Sequence, residues 1–157
     1  MISSVFFKRF KTFFFFGIAK LPMKGQIRSK LIRLGGVDLV KSKSFIGPNT
    51  VFDTLFPENI HIGAHVHITT GVIILTHYLN TDGGCMWRSG HVFIEKGAFI
   101  GANSIICKDV RIGRNVIIAA GSVVTKDIPD NEIWGGNPAR YIKKRVPWRH
   151  QDPQDFV

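Results

Sequence analysis

The chain has few cysteines and no apolar run long enough to cross a membrane. Its 157 residues include two cysteines, Cys85 and Cys107, which cannot make a disulfide framework, so a reducing, cytoplasmic setting is the simplest expectation. The uncharged aromatic run near the N-terminus, residues 12–19, is far too short to span a bilayer. No small-residue cleavage site follows it, which argues against a secretory signal peptide.

Acidic residues are scarce at both ends of the chain, whose formal net charge is +10. Residues 1–43 hold ten lysines and arginines against one acid, and residues 139–150 hold five against none. Residues 44–138 hold six against eight and lack a basic stripe with interleaved aromatics, so a nucleic-acid partner is not expected. Charge confined to the two ends favours an anionic lipid surface or a phosphorylated ligand.

Isoleucine and valine recur at every sixth position of residues 94–129. These lead positions are Ile94, Ile100, Ile106, Ile112, Ile118 and Val124. Small or branched residues stand four places after each lead: Ala98, Ser104, Val110, Val116, Ser122 and Ile128. A period of six fits neither a helix nor a single strand. Hexapeptide repeats predict an all-β fold, a parallel β-helix in which three repeats make one triangular coil.

The same period predicts how the coils stack. The expected interior pairs, one coil apart, are Ile94 with Ile112, Ile100 with Ile118, and Ile106 with Val124. Branched side chains suit such stacked, restricted positions. The corners of the prism require small or left-handed-tolerant residues, and the candidates are Gly101, Asn103, Gly113, Asn115 and Gly121.

The repeats divide the chain into three parts. Residues 1–34 form a basic and aromatic extension, residues 35–138 the β-helix domain, and residues 139–157 a basic C-terminal tail. The early repeats are looser, and Leu55 to Asn59 is interpreted as an excursion at a corner.

One interruption of the repeats is the candidate functional region. Twenty residues separate Ile74 from Ile94, two more than a full coil, and residues 76–91 between them read as a polar, glycine-rich loop. Loops that interrupt a rigid repeat scaffold commonly carry function. His77 stands at the entrance to this loop and is the residue we single out.

The N-terminal extension leaves two interpretations open. Phenylalanines alternate there with Lys8, Arg9, Lys11 and Lys20, a composition that suits a segment lying at an anionic membrane surface through residues 1–20. The same segment would also serve as a helix packed against the prism or a neighbouring subunit.

Residues 35–144 resemble the hexapeptide-repeat acyltransferases, closest to the branch of maltose, galactoside, serine and polysaccharide O-acetyltransferases. The resemblance is carried by Ile-Leu-Thr-His at 74–77, by Ile-Ala-Ala-Gly-Ser-Val-Val-Thr-Lys-Asp-Ile-Pro at 118–129 and by Trp-Gly-Gly-Asn-Pro-Ala-Arg-Tyr-Ile-Lys-Lys at 134–144. It implies a left-handed β-helix and a homotrimer with active sites between neighbouring prisms. Left-handedness comes from the resemblance alone, because ordinary parallel crossovers are right-handed.

The implied reaction is acetyl transfer from acetyl-coenzyme A to a hydroxyl of a sugar or polysaccharide precursor. That reaction needs a base for the hydroxyl proton, and a histidine such as His77 suits the task near neutral pH. The chain has no G-x-S-x-G motif and no evident cysteine–histidine nucleophile pair, which favours direct transfer in a ternary complex. Asp82 or a backbone carbonyl is expected to orient the imidazole.

The resemblance also implies contacts for each substrate. Coenzyme A is expected against small residues in the groove between prisms and against basic residues near the C-terminus: Ala102, Ala120, Thr125, Lys126, Arg140 and Lys143. The acceptor is expected near Asp53, Asp82 and Trp87. No metal is expected.

Other functions compatible with a hexapeptide prism remain. The same histidine would serve an N-acetyltransferase of an amino sugar or a serine acetyltransferase. A zinc-dependent carbonic anhydrase of the γ type needs three histidines around the metal, whereas His61 and His67, six apart, should point from different sides of the prism. A non-catalytic trimeric scaffold would bind no acetyl-coenzyme A.

Overall fold

The computed structural model describes residues 2–41, 43–80 and 86–146. Short parallel strands wind around a triangular prism with three faces. Face 1 contains β1 (Asp38–Leu39), β4 (Ile60–Ile62), β9 (Val92–Ile94) and β12 (Val110–Ile112). Face 2 contains β2 (Phe45–Ile46), β5 (His67–Ile68), β10 (Phe99–Ile100), β13 (Ile117–Ile118), β15 (Glu132–Gly135) and β16 (Arg140–Lys144). Face 3 contains β3 (Val51–Phe52), β6 (Ile73–Leu75), β11 (Ile105–Cys107) and β14 (Val123–Val124).

The register of the strands confirms the predicted stacking of the lead residues. The observed pairs include Ile94 with Ile112, Ile100 with Ile118, and Ile106 with Val124. All six side chains are buried, as are the six residues four places further along the chain. Each hexapeptide therefore contributes two inward positions, and the interior is a set of columns that run along the prism.

The corners use small residues for two different physical reasons. Asn103, Asn115 and Gly121 have positive φ values of 56°, 54° and 69°, the left-handed conformation that the sequence predicted for corners. Gly101 and Gly113 are needed for a different reason, because the backbone of the next coil lies too close to leave room for a side chain. A Cβ added at Gly101 would lie 2.5 Å from the backbone nitrogen of Ala120, and one added at Gly113 would lie 2.7 Å from that of Asp130.

The interruption after Ile74 is a hairpin added at one corner. Ile62 pairs with Ile94 and Ile74 pairs with Ile106, so the coils before and after the interruption stack directly on each other. The residues predicted as a loop include two antiparallel strands, β7 (His77–Asn80) and β8 (Met86–Ser89). Residues 81–85, which include Asp82 and Cys85, lie outside the described part of the chain.

Two further segments depart from the regular coil. The excursion predicted at Leu55 to Asn59 contains a short 3-10 helix, Pro57–Asn59. The predicted C-terminal tail begins with an ordered strand, because β16 pairs in antiparallel fashion with β15 at the end of face 2.

The N-terminal extension forms two helices, α1 (Ile2–Ala19) and α2 (Gly25–Leu34), and one side of α1 packs on the first coil. The ring centroids of Phe16 and Phe52 are 5.9 Å apart, and the Thr12 hydroxyl donates a hydrogen bond of 2.7 Å to the carbonyl of Gly35. The buried Arg28 of α2 donates through Nε to the carbonyl of Ala19, at 2.8 Å. No helix of the described residues has the length and apolarity needed to cross a membrane.

Replacing Gly101 with alanine should destabilise the fold, because the added methyl group meets backbone atoms of the next coil that cannot move aside alone. We expect Gly101→Ala to lower the free energy of unfolding by about 1–3 kcal/mol. Gly17→Ala is the matched control, since a Cβ there meets nothing within 4 Å. It should raise stability by up to about 1 kcal/mol through helix propensity. Urea unfolding measures the stability of both variants. Equal stability of Gly101→Ala and Gly17→Ala would contradict the packing described at Gly101.

Candidate functional site

His77 and Asp53 meet at the corner where the chain leaves face 3 and returns to face 1, here called the 3–1 corner. Asp53 follows β3, and its backbone N–H donates to the carbonyl of Ile74 on the neighbouring strand β6. His77 opens β7 two residues after β6 ends. The register of β3 and β6 thus brings the two side chains together, with His77 Nδ1 2.6 Å from Asp53 Oδ2.

Asp53 is a buried carboxylate whose oxygens are occupied by protein donors. Oδ2 accepts hydrogen bonds from the Thr76 backbone N–H at 3.0 Å and from the Thr76 hydroxyl at 2.7 Å, in addition to His77. Oδ1 accepts a hydrogen bond of 2.8 Å from the backbone N–H of Leu55. Burial by itself acts to raise the pKa of Asp53, but the hydrogen bonds from Thr76, His77 and Leu55 outweigh it and hold the pKa below its usual value.

The ionised state of Asp53 decides the tautomer of His77. A carboxylate can only accept hydrogen bonds, so His77 Nδ1 must carry the proton that it donates to Asp53. Neutral His77 then has an unprotonated Nε2, the nitrogen directed away from the carboxylate. With its side chain 26% exposed, His77 has a partner on one nitrogen and access to a ligand on the other.

This arrangement changes the predicted role of Asp53. The sequence predicts Asp53 against the acceptor, yet its side chain is 1% exposed and hydrogen-bonded to His77. Asp53 therefore orients the imidazole, a role that was assigned to Asp82 or a carbonyl. The signal in the sequence was weak, because the excursion at Leu55 to Asn59 spaces Asp53 from its neighbours on β6 by more than one regular coil.

The hairpin places an aromatic side chain beside His77. Trp87 on β8 lies diagonally opposite His77 on β7, and the two ring centroids are 5.6 Å apart. Trp87 is 73% exposed. The exposed indole thus lies beside the imidazole, and its contact with the acceptor stays a prediction.

The residues predicted to contact coenzyme A occupy two corners. Ala102 and Ala120 stack at the corner between faces 2 and 3, here called the 2–3 corner, where the Gly121 N–H donates to the Ala102 carbonyl at 2.8 Å. Thr125 and Lys126 follow β14 at the 3–1 corner, on the same edge as His77. Two strand spacings separate Thr125 from the level of β6, a distance of about 10 Å.

The basic residues predicted near the C-terminus lie at the far end of the prism. Lys126 Nζ stands 5.1 Å from the centroid of the Trp134 ring. Arg140 and Lys143 are exposed on β16. The Arg140 guanidinium donates to the carbonyl of Ala139 at 3.0 Å, and Arg145 donates to the carbonyls of Gly97 and Asn115.

Two histidines outside this site, His61 and His91, form a separate pair on face 1. His61 Nδ1 is 2.8 Å from Asp38 Oδ2, and His61 Nε2 is 3.0 Å from His91 Nδ1. His67 lies on face 2, so His61 and His67 point from different sides as the spacing predicted. Within the described ranges, no group of three or more His, Cys, Asp or Glu residues is arranged to hold a metal ion.

Comparison with known proteins identifies the repeat and its relatives. Residues 91–126 match the model of the bacterial transferase hexapeptide family, described as six repeats. The candidate acetyltransferase YvoF of Bacillus subtilis (strain 168) is 41% identical over 91 residues, which are 57% of this chain and 51% of YvoF. The chain thus spans about half the length of that relative. Protein CapG of Staphylococcus aureus is 43% identical over 130 residues, covering 77% of this chain and 73% of CapG.

Solved structures show the same fold. The maltose O-acetyltransferase of Clostridium difficile 630 superposes with a TM-score of 0.67 and 28% identity, covering 88% of this chain and 87% of that one. The likeness confirms the predicted left-handed parallel β-helix. The matched proteins include both O-acetyltransferases and N-acyltransferases, and some of the latter were solved with coenzyme A.

The depressed pKa of Asp53 predicts a stability difference that depends on pH. A folded-state pKa below the unfolded value of 3.8 stabilises the protein above that pH, and the effect is lost as the pH falls through the folded-state pKa. At neutral pH, Asp53→Asn should therefore lower the free energy of unfolding by about 1–3 kcal/mol. The difference in free energy of unfolding between Asp53→Asn and the wild type should become smaller below about pH 3.8.

Urea unfolding at several pH values measures this difference. Asp38→Asn is the matched control, because it also removes a carboxylate from a histidine, but one whose side chain is 68% exposed. An exposed pair contributes little, so this control should change stability much less at every pH. If the loss of stability in Asp53→Asn were the same at every pH, Asp53 would not be the buried, ionised carboxylate described.

Proposed function

Because the chain belongs to the hexapeptide-repeat acyltransferase family, we propose that it transfers an acetyl group from acetyl-coenzyme A to a hydroxyl of a sugar or saccharide precursor. The observation that carries the proposal is the Asp53–His77 pair, with its buried carboxylate and its exposed imidazole edge at the base of the hairpin. This is the arrangement that a general base for an alcohol requires, since one nitrogen is held and the other is available.

The residues of the site support direct transfer. His77 Nε2 takes the hydroxyl proton as the acceptor oxygen attacks the thioester carbonyl, and the carbon–sulfur bond then breaks. The same proton passes from Nε2 to the leaving thiolate, so His77 returns to its neutral form. Asp53 holds the ring and stabilises the imidazolium between the two steps.

An acyl-enzyme route through cysteine finds no support among the described residues. Cys107, half-buried on face 3, has its Sγ 3.6 Å from the carbonyl of Val124. Burial raises the pKa of its thiol, which lowers the fraction of reactive thiolate. This favours the ternary-complex mechanism.

The placement of the corners supports a site shared between subunits. His77 lies at the 3–1 corner, while Ala102 and Ala120 lie at the 2–3 corner, on a different edge of the prism. If the small residues form the surface for the pantetheine arm, they must come from a neighbouring copy. We propose a homotrimer in which His77, Thr125 and Lys126 of one subunit face Ala102 and Ala120 of the next.

Trp87 is the proposed acceptor contact. An exposed indole beside the base offers an apolar face on which a sugar ring can stack, with a hydroxyl directed at His77. Arg140 and Lys143 are the proposed partners of the coenzyme A phosphates, because they are exposed cations on the final strand.

The first test compares wild type with His77→Ala. Removing the base should lower turnover by about 10²–10⁴-fold and leave acetyl-coenzyme A binding intact, because the imidazole is not among the proposed coenzyme A contacts. Calorimetry measures binding, and thiol release with a panel of sugar, amino-sugar and serine acceptors measures turnover. His67→Ala, which removes an exposed histidine of face 2, is the control and should retain full turnover.

Two results of this comparison would overturn the proposal. Failure of the wild type to bind acetyl-coenzyme A would exclude an acyltransferase and favour a scaffold. Full turnover in His77→Ala would exclude His77 as the base. Turnover with amino acceptors alone would show that the reaction is N-acetylation, with His77 still acting as the base.

Mixed assemblies test the shared site. His77→Ala and Ala120→Trp should each be nearly inactive, the second because the bulky ring fills the proposed coenzyme A groove. When the two variants are coexpressed, about a quarter of the sites combine an intact His77 with an intact Ala120 from the neighbour, and activity should return to that level. If both residues belonged to one subunit's site, no site in the mixture would be intact and no activity would return.

A further inference from the structure

An aromatic stripe covers the side of α1 that faces away from the prism. Its members Phe7, Phe10 and Phe14 are 69%, 58% and 50% exposed, and Phe13, 76% exposed, lies at its edge beside the first coil. With 3.6 residues per turn, Phe7, Phe10 and Phe14 project opposite to the buried residues Thr12 and Phe16. A contiguous exposed patch of this kind marks an interaction surface.

The stripe is flanked by cations. On the helical projection Lys11 lies along one edge and Arg9 lies next to Phe13 along the other, while Lys20 directly follows the last residue of α1. All three are exposed and make no ion pair with any described residue, and α1 contains no acidic residue. The surface therefore combines apolar rings with uncompensated positive charge. We call these seven residues, Phe7, Arg9, Phe10, Lys11, Phe13, Phe14 and Lys20, the aromatic-basic face.

Contacts with the prism hold this face in place. Phe16 packs on Phe52, the Thr12 hydroxyl bonds to Gly35, and Lys8 Nζ lies 2.6 Å from Glu58 Oε1. The helix thus presents the stripe as a rigid surface and does not need to fold on binding. The ordering cost of docking is correspondingly small.

A second cluster of free cations lies close by. A groove of about 490 Å³ between α2 and the first coil is lined by Lys30, Arg33, Lys41 and Lys43, none of which pairs with a described carboxylate. Residues 1–43 hold ten lysines and arginines against one acid, and one of these cations, Lys8, pairs with Glu58.

We propose that the aromatic-basic face docks α1 in the plane of an anionic membrane, with the phenylalanines in the headgroup region and the cations among lipid phosphates. Rings inserted at the interface with lysines and arginines along both edges are the features of an in-plane helix. The attraction of each cation to an anionic leaflet adds to the binding free energy gained by burying the phenylalanine rings.

Charge distinguishes a membrane from a second copy of the chain as the occupant. A self-complementary contact through this face would bring Arg9, Lys11 and Lys20 of one copy against the same cations of the other, with no acid on the helix to compensate them. Lipid phosphates supply the missing negative charge. The charges of this face thus disfavour a two-fold contact between copies and fit an anionic membrane.

Vesicle sedimentation with the full chain tests the proposal. Wild type should bind vesicles of phosphatidylcholine with roughly a third phosphatidylglycerol, and should bind phosphatidylcholine alone much more weakly. A triple variant, Phe7→Ser, Phe10→Ser and Phe14→Ser, should bind the anionic vesicles at least about a hundredfold more weakly. The matching triple change to leucine keeps apolar side chains at these positions and should retain most of the binding.

Controls separate membrane docking from folding and assembly. Ile142→Ser, an exposed apolar residue on β16 at the other end of the prism, should leave vesicle binding unchanged. Circular dichroism and the solution mass of the serine variant should match wild type. The assay needs no catalytic activity, so its outcome is independent of the proposed acetyl transfer.

Two outcomes would overturn the proposal. Wild type that fails to bind the anionic vesicles would exclude membrane docking. A serine variant that changes the number of subunits in solution, with vesicle binding equal to wild type, would identify the stripe as a contact between copies instead.

Discussion

Each coil of the prism can bury its interior only by stacking on the next, and this constraint governs the rest of the structure. Inward positions are occupied by isoleucine and valine in columns, and the backbone of each coil is hydrogen-bonded to the coils beside it. Close approach of successive coils leaves no room for a side chain at Gly101. Because the interior tolerates so little variation, new structure can be added only at corners and ends.

The candidate site is built from insertions at one corner of the prism. The prism itself supplies rigid strand ends, and two additions to the coil supply the rest: the excursion after Asp53 and the hairpin that begins at His77. The excursion provides the Leu55 N–H that satisfies the buried carboxylate. The carboxylate in turn fixes the tautomer of His77, so burial and hydrogen bonding at one corner determine the protonation of the group that faces a ligand.

The N-terminal helices differ in charge and exposure from the body of the prism. Residues 44–138 carry a near balance of charges, whereas α1 carries exposed aromatic rings together with Arg9 and Lys11, which pair with no described carboxylate. The contact of α1 with the first coil is made by other residues, among them Phe16 and Thr12. The exposure of these rings and cations is better explained by an external surface than by the fold.

The sequence by itself determined the β-helix, the stacked pairs and the position of His77 at the interruption, because a fixed period of six allows one arrangement of inward residues. For the N-terminal extension, composition left open a segment at a membrane surface and a helix packed against the prism or a neighbouring subunit. Only the tertiary structure showed that α1 uses one side for packing and leaves the other exposed, since both sides are rich in phenylalanine.

Likewise, only the tertiary structure showed that Asp53 contacts His77 and that Ala102 lies on a different edge of the prism from His77. The physical reason is that both facts depend on register between strands. The insertions after Asp53 and after Ile74 change the spacing along the chain without changing the stacking in space. Hydrogen bonding between coils, and not distance along the sequence, decides which residues share a corner.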